Sequence, residues 1–299
     1  MVVLSQEKYK SGYVSLIGRP NVGKSTLLNA ILGEKVAIVT PKPQTTRNRI
    51  TGIKTLPDAQ IIFVDTPGIH KPQQKLGESM NRLAYESLEE MDIVLFMVEP
   101  QMPGSGDLFV LDKIKRNDKP VFLLINKIDT VKKTEVLPVI DAYSRLYPFK
   151  EIIPLSALKT SGLDELIGTV LKYLPEGPKL YPDDIVTDQM ERFMVSEIIR
   201  EKIIEETREE VPHASAVEVI SWEEREDGVV FIQANIYIER DGQKGIIIGK
   251  HGSRLKAIGT GARHDIENLL GTRVFLELWV KIKKDWRSDE RFLRELGFR

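Results

Sequence analysis

The sequence predicts an α/β domain followed by a smaller α+β domain, and three observations carry that expectation. Short apolar runs alternate with helix-length amphipathic stretches through the first half, the pattern of a parallel sheet covered on both faces. A Pro- and Gly-punctuated stretch follows at residues 174–188, Leu-Pro-Glu-Gly-Pro and then Tyr-Pro-Asp-Asp, which reads as a linker. Beyond it, alternating strand patterns mix with helical periodicity. A chain of 299 residues has room for two domains with separate cores, here expected at 1–178 and 179–299.

In the first half, Tyr13–Ile17, Ile61–Val64, Ile93–Val98, Val121–Ile125 and Ile152–Leu155 read as buried parallel strands. Ser25–Leu32, Leu76–Glu90 and Gly106–Arg116 read as helices between them. In the second half, Thr187 or Asp188 is positioned to cap a helix carrying Met190, Phe193, Met194 and Ile198. Two strands follow; Val230, Ile232, Ala234, Ile236 and Ile238 share one face of the second. Leu255, Ile258, Ala262, Ile266 and Leu269 return at helical spacing, and Val274, Leu276, Leu278, Val280 and Ile282 line a third strand. Trp279, on the opposite face of that strand, is expected against the leading helix.

Composition narrows the class. With 43 Lys and Arg against 44 Asp and Glu, net charge is -1 and names no partner, while 41% hydrophobic residues exclude long-range disorder. Cysteine is absent, which excludes disulfides, thiolate metal sites and cysteine nucleophiles and suits a reducing compartment. Met1–Lys10 has too short an apolar run for a secretory signal, so export is not expected. Charge is nonetheless segregated: residues 183–227 hold 15 acidic and 5 basic side chains, whereas residues 240–264 hold 6 basic and 1 acidic. One edge of the second domain is therefore a candidate phosphate footprint.

Gly18-Arg19-Pro20-Asn21-Val22-Gly23-Lys24-Ser25, followed by Thr26, lies between the first strand and the first helix. It is the G-x-x-x-x-G-K-S phosphate loop in its required context. Its amides and helix N-terminus suit a polyphosphate, Lys24 offers a charge to the β and γ phosphates, and Ser25 can ligate Mg²⁺. Asp65-Thr66-Pro67-Gly68 ends a strand, where the carboxylate can hold Mg²⁺ and the Gly68 N–H can reach a γ phosphate. Asn126-Lys127-Ile128-Asp129 follows another strand. Asp129 can accept from the N1–H and exocyclic amine of guanine, a donor pair adenine lacks, so GTP is favoured over ATP. Asn126 is a candidate for the other purine edge, Lys127 for the base plane, and Ser156-Ala157-Leu158 for a backbone N–H to O6.

These four elements resemble the translation-factor-like class of P-loop GTPases over roughly residues 10–175. The resemblance implies that Pro41–Arg49 is switch I and that switch II runs from Asp65 to about Arg82. A switch I threonine, Thr46 or Thr45, would complete the Mg²⁺ shell. Ile69 stands where a Ras-like chain has its water-orienting glutamine, and it cannot hydrogen-bond a water. In the subgroup with a hydrophobic residue there, an Asn in the loop helps bind K⁺, and Asn21 matches it. Lys24, Thr46, Gly68 and Asn21 are thus the expected catalytic set, with slow, K⁺-stimulated hydrolysis. His70 reads as a loop residue.

Gly249-Lys250-His251-Gly252, preceded by Ile246-Ile247-Ile248, resembles the Gly-x-x-Gly turn of the K-homology (KH) RNA-binding module. The order helix, strand, strand, helix, helix, strand resembles its prokaryotic form, type II. The resemblance implies that the bare turn admits a single-stranded backbone while Lys250, His251, Arg254 and Lys256 offset its charge. Gly249→Asp would then repel RNA without unfolding the domain. With Gln189–Lys202, Leu276–Lys281 and Asp289–Gly297, the domain order is similar to that of the bacterial ribosome-assembly GTPases. This resemblance implies binding near the 3′ end of small-subunit (16S) ribosomal RNA and help in 30S subunit maturation. It also implies a cytoplasmic monomer with a peripheral fraction on the inner membrane, for which the basic tail Lys281–Arg299 is a candidate contact.

Overall fold

Strand β1 (Lys10–Gly18) is central because its apolar run is flanked on both sides by others of the same kind. The computed structural model describes residues 9–72 and 74–298, so most of the Met1–Lys10 segment lies outside the described residues. After β1 come α1 (Lys24–Leu32), β2 (Ile50–Thr55), β3 (Ala59–Asp65), α2 (Lys75–Glu89) and β4 (Ile93–Val98). Then follow α3 (Ser105–Ile114), β5 (Val121–Ile125), α4 (Lys133–Ser144), β6 (Glu151–Pro154) and α5 (Leu163–Tyr173). The sheet order is β2-β3-β1-β4-β5-β6, parallel except for β2, which runs antiparallel to β3. Every residue of β3, β4 and β5 is buried, as the continuous apolar runs require when helices cover both faces. Chain order reverses on either side of β1, and ligands of such sheets bind beyond the carboxyl strand ends at that point.

Strand β2 has no counterpart in the sequence reading. Its Ile-Thr-Gly-Ile-Lys-Thr run is too polar to read as a core strand, but an edge strand needs only one apolar face. Gly52 lets it sit close: a Cβ there would lie 2.6 Å from both Leu28 Cδ1 and Leu32 Cδ1.

Residues 9–37, 46–72 and 77–188 pack as one unit, and residues 38–45, 74–76 and 189–298 as another. The Pro- and Gly-rich stretch is packed within the first unit. The Ser11 hydroxyl donates to Pro178 O at 2.6 Å, and Gln60 Oε1 accepts from the Leu180 and Tyr181 N–H groups, both at 2.9 Å.

The second unit contains α6 (Glu191–Glu206), α7 (Val211–Ala214), β7 (Ala216–Glu224), β8 (Val230–Ile238), α8 (Asp241–Ile248), α9 (Ser253–Leu270), β9 (Val274–Ile282) and α10 (Glu290–Glu295). β8 is the middle strand, antiparallel to β7 and parallel to β9. Ile232, Ala234, Ile236 and Ile238 are fully buried against Val195, Ile199 and Ile203 of α6 and Ile258, Ala262 and Ile266 of α9. Helix α6 begins at Glu191, later than a Thr187 or Asp188 cap requires. Thr187 instead donates its hydroxyl to Thr51 O at 2.6 Å, and Met190 is 77% exposed.

Trp279 also departs from expectation. It is half exposed on the sheet face opposite α6, because strand alternation puts it out of phase with buried Val274. On that outer face Phe231 stacks on Phe275 at 5.8 Å, with the Arg225 guanidinium 5.1 and 5.6 Å from the two ring centres. The apolar residues of the tail are used for packing: Trp286, Phe292, Leu293 and Phe298 are buried, and Trp286 Nε1 donates to Ala214 O at 2.8 Å.

Candidate nucleotide site and RNA turn

The phosphate loop turns where only glycine fits. Gly18 leaves β1 so close to β4 that a Cβ would overlap Met97 O; Gly23 has φ 103°, and its Cβ would overlap Asn126 Nδ2. Asn21, at φ 66°, adds a left-handed position that Asn tolerates. The Lys24 ammonium is buried and donates to Arg19 O at 3.0 Å and Gly18 O at 3.3 Å. Burial lowers its pKa to about 8, against the opposing pull of Asp65. Those two carbonyls are weak substitutes for the phosphate oxygens that would restore the charge.

The Asp65 carboxylate lies beside it, with no solvent exposure. Burial raises its pKa although Lys24, Ser25 and Thr46 all pull the other way. Desolvation therefore dominates both members of this pair, as expected where neither charge reaches water. Ser25 Oγ donates to Asp65 Oδ2 at 2.5 Å and lies 2.7 Å from Thr46 Oγ1, itself 3.4 Å from Oδ2. Asp65 Oδ1 is buried without a partner among the described residues. Two hydroxyls and a carboxylate with one unmatched oxygen form a hard-oxygen donor set that fits Mg²⁺. Thr45 points elsewhere: its hydroxyl donates to Lys42 O at 2.7 Å and pairs with Thr40.

Asp65-Thr66-Pro67-Gly68 lies against this corner. Thr66 donates to Leu16 O at 2.8 Å, and Gly68 sits on the phosphate loop so tightly that a Cβ would lie 2.5 Å from Pro20 N and 2.6 Å from its Cα. Ile69 is 1% exposed and packs with Ile17 and Phe96 in the core. His70 Nδ1 bonds Gly68 O at 2.8 Å, and its backbone N–H is accepted by Asn81.

The base-recognition loop is held by its own side chains. Asp129 Oδ1 accepts the Ser156 hydroxyl at 2.6 Å, leaving its carboxylate at an exposed edge. Asn126 is held in place from both sides: one amide N–H donates to Val22 O at 2.8 Å and its oxygen accepts the Ala157 N–H at 2.9 Å, which leaves its second N–H for a further acceptor. It ties the phosphate loop to the 156–158 turn, and with Ala157 so engaged, Leu158 keeps the unmatched N–H among the described residues of that turn. Lys127 donates to Asn21 O at 2.8 Å and pairs with Glu99. Glu99 was invisible to sequence reasoning because it belongs to no motif; only its place just beyond β4 brings it here.

In the second unit the Gly-x-x-Gly turn joins α8 to α9. Gly249 has φ 71° and ψ 177°, His251 φ 51° and Gly252 φ 77°. A Cβ on Gly249 would lie 2.8 Å from Arg254 Cβ, so Gly249→Asp would strain the turn and would not leave the domain undisturbed. Lys250, His251 and Lys256 are exposed. Arg254 is engaged, donating to Ile246 O at the end of α8, which leaves it less free for a phosphate than its spacing implied.

Two family models match the chain: the 50S ribosome-binding GTPase model over residues 13–127 and the KH domain model over residues 210–287. The chain is 53% identical over 292 residues to GTPase Era of Ruminiclostridium cellulolyticum, covering 97% of this chain and 98% of the relative. It is 56% identical over 297 residues to GTPase Era of Geobacter metallireducens, covering 99% and 100%. Among solved structures, Era in complex with MgGDPNP and nucleotides 1506–1542 of 16S ribosomal RNA superposes with TM-score 0.94 at 47% identity, covering 97% of this chain and 99% of that one. The GDP·AlF4⁻ complex of a point variant of Aquifex aeolicus Era gives TM-score 0.93, also at 47% identity over 97% and 99%. With the phosphate corner, the base loop and the KH fold all in one chain, this protein belongs to the Era family of GTPases.

Proposed function

We propose that the chain binds GTP and GDP through residues 18–26 and 65–68 and hydrolyses GTP slowly with Mg²⁺. We further propose that it holds single-stranded 16S ribosomal RNA near the 3′ end during 30S subunit assembly. The observation that carries the nucleotide reading is the convergence of half-buried Ser25 with buried Lys24, Thr46 and Asp65 around an unmatched carboxylate oxygen. The RNA reading is supported by full-length similarity to the Era structure containing MgGDPNP and 16S nucleotides.

In this reading Ser25 and Thr46 ligate Mg²⁺, Asp65 supports it, and the ion neutralises charge on the β and γ oxygens when bound. Lys24 and the loop amides hold the phosphates, and Gly68 N–H approaches the γ position. Asp129 reads guanine, and Leu158 N–H is the available donor for O6. Ile69 is buried and orients no water, so turnover depends on positioning and charge; K⁺ held through Asn21 supplies the latter. Lys250, His251 and Lys256 face the RNA backbone around Gly249 and Gly252. Peripheral membrane association is carried over from the resemblance and is tested by flotation with anionic vesicles without RNA; no helix among the described residues is long and apolar enough to cross a membrane.

The test measures GTP turnover in K⁺ and Na⁺ buffers, with and without a 16S 3′-end oligonucleotide. Expected are faster turnover in K⁺ and RNA binding that Lys250→Asp with His251→Asp abolishes; His251 is left-handed, which Asp tolerates. Turnover at the protein-free background would overturn the enzyme reading, and equal rates in the two salts would overturn the K⁺ site.

A further inference from the structure

Arg19 is the only long side chain of the phosphate loop before Lys24, and nothing in phosphate binding requires it, since the loop works there through backbone amides. Its guanidinium turns away from the loop. Nε donates to Asp107 Oδ1 at 2.6 Å, and one terminal nitrogen lies 3.8 Å from Glu99. Asp107, on the first turn of α3, is 3% exposed. Its other oxygen accepts the Gly104 N–H at 3.0 Å, and the buried Tyr143 phenol also hydrogen-bonds it. Surface ion pairs contribute little, but this carboxylate is buried and its donors are fixed, the situation in which a charge-assisted bond has weight. Gly106 makes room, because a Cβ there would lie 2.5 Å from Arg19 Cδ.

The same short stretch is tied at two further points. Arg19 O accepts from Lys24, and Asn21 O accepts from Lys127, which pairs with Glu99. The front of the loop, residues 19–21, is thus held by one side chain and two carbonyls, and Glu99 connects the arginine to the base-motif lysine. Asn21 has φ 66°, a conformation that a loosened loop would leave.

We infer that Asp107, with Glu99 as auxiliary, is a positioning residue for nucleotide binding: by anchoring Arg19 it preorganises the front half of the phosphate loop. Preorganised amides incur no ordering cost when the phosphates arrive, so the anchor acts on nucleotide residence time. The inference rests on residues 18–26 being the phosphate site.

Four variants, three single and one double, test it in the full-length protein, read by the dissociation rate of a fluorescent GDP with Mg²⁺ and by the melting temperature of the nucleotide-free protein. Arg19→Met removes the guanidinium and leaves the Gly104 bond to Asp107 intact; dissociation should quicken about tenfold, the loss of one charge-assisted hydrogen bond. Gly106→Ala touches no charge and favours helix α3, yet it displaces Arg19. It should quicken dissociation while the melting temperature falls less than in Arg19→Met, because the helix gains part of what the ion pair loses, a split that a purely structural role does not produce. Asp107→Ala combined with Arg19→Met should dissociate no faster than Arg19→Met alone, and if Asp107→Ala fails to fold, the first two variants still decide. Wild-type dissociation rates in both Arg19→Met and Gly106→Ala would overturn the inference. A wild-type protein that retains no GDP would instead overturn the phosphate site itself.

Discussion

Lys24 combines a folding cost with the binding role proposed for it. Its folded pKa, about 8, lies below the ordinary lysine value of 10.5 because burial outweighs the pull of Asp65. Between those values the unfolded chain holds a proton that the folded chain has released, so this group makes the nucleotide-free protein more stable as pH rises through the window. Phosphate binding needs the charged form and changes in the opposite sense. We expect GDP affinity, measured with chelator present, to fall as pH rises above about 8, by up to roughly tenfold per unit. Proton uptake on binding near pH 8.5, detected calorimetrically in buffers of different ionisation enthalpy, checks this; binding without uptake contradicts it. At the base, Asp129→Asn removes two charge-assisted hydrogen bonds of ~1.5 kcal/mol each, so affinity for GDP should drop about a hundredfold. Unchanged preference for guanine over adenine nucleotides would remove Asp129 from the reading.

Among the elements, helix α6 does more than line a core. Residues 38–45 belong to the second unit, where Glu201 accepts the Val39 N–H at 3.1 Å, Lys42 donates to Ile204 O at 2.9 Å, and the buried Arg200 donates to Thr45 O and pairs with Glu197. The expected switch I is therefore divided, Pro41–Thr45 packing on α6 and Thr46–Arg49 grouped with the first unit. Arg200→Met should raise hydrogen exchange across residues 38–45 by at least tenfold while the β8 amides stay protected; unchanged exchange would show that the contact holds nothing. The tail is equally structural. Trp286→Ala empties a fully buried site and orphans Ala214 O, which should cost about 3–5 kcal/mol of second-unit stability, read from denaturant unfolding.

For the whole molecule, two units with separate cores imply that ligands stabilise what they touch. Mg²⁺ with GDP at about 100 times its dissociation constant should add about 2.7 kcal/mol to the unit holding the phosphate loop. The Gly-x-x-Gly unit should respond to RNA instead. Hydrogen exchange resolved by peptide distinguishes the two, and uniform protection of both units by GDP would contradict the prediction.

Motif order along the chain determined the nucleotide and the base, because glycines at close approaches and a carboxylate at a strand end leave few chemical alternatives; the module that follows was legible only as a resemblance carried by its Gly-x-x-Gly turn and the order of its elements. Periodicity likewise sufficed for the buried strands β3, β4, β5 and β8, whose apolar runs have one stable placement. It did not suffice for the polar edge strand β2, for the real start of α6, or for the side of the sheet that Trp279 occupies relative to the helices. Nor did it show that Asn126 braces Val22 and Ala157, that Arg254 closes α8, or that Glu99 and Asp107 anchor Arg19. Those were decided by tertiary structure, since each pairs groups far apart in the chain or depends on which hydrogen-bonding partner lies nearest once the backbone is in place.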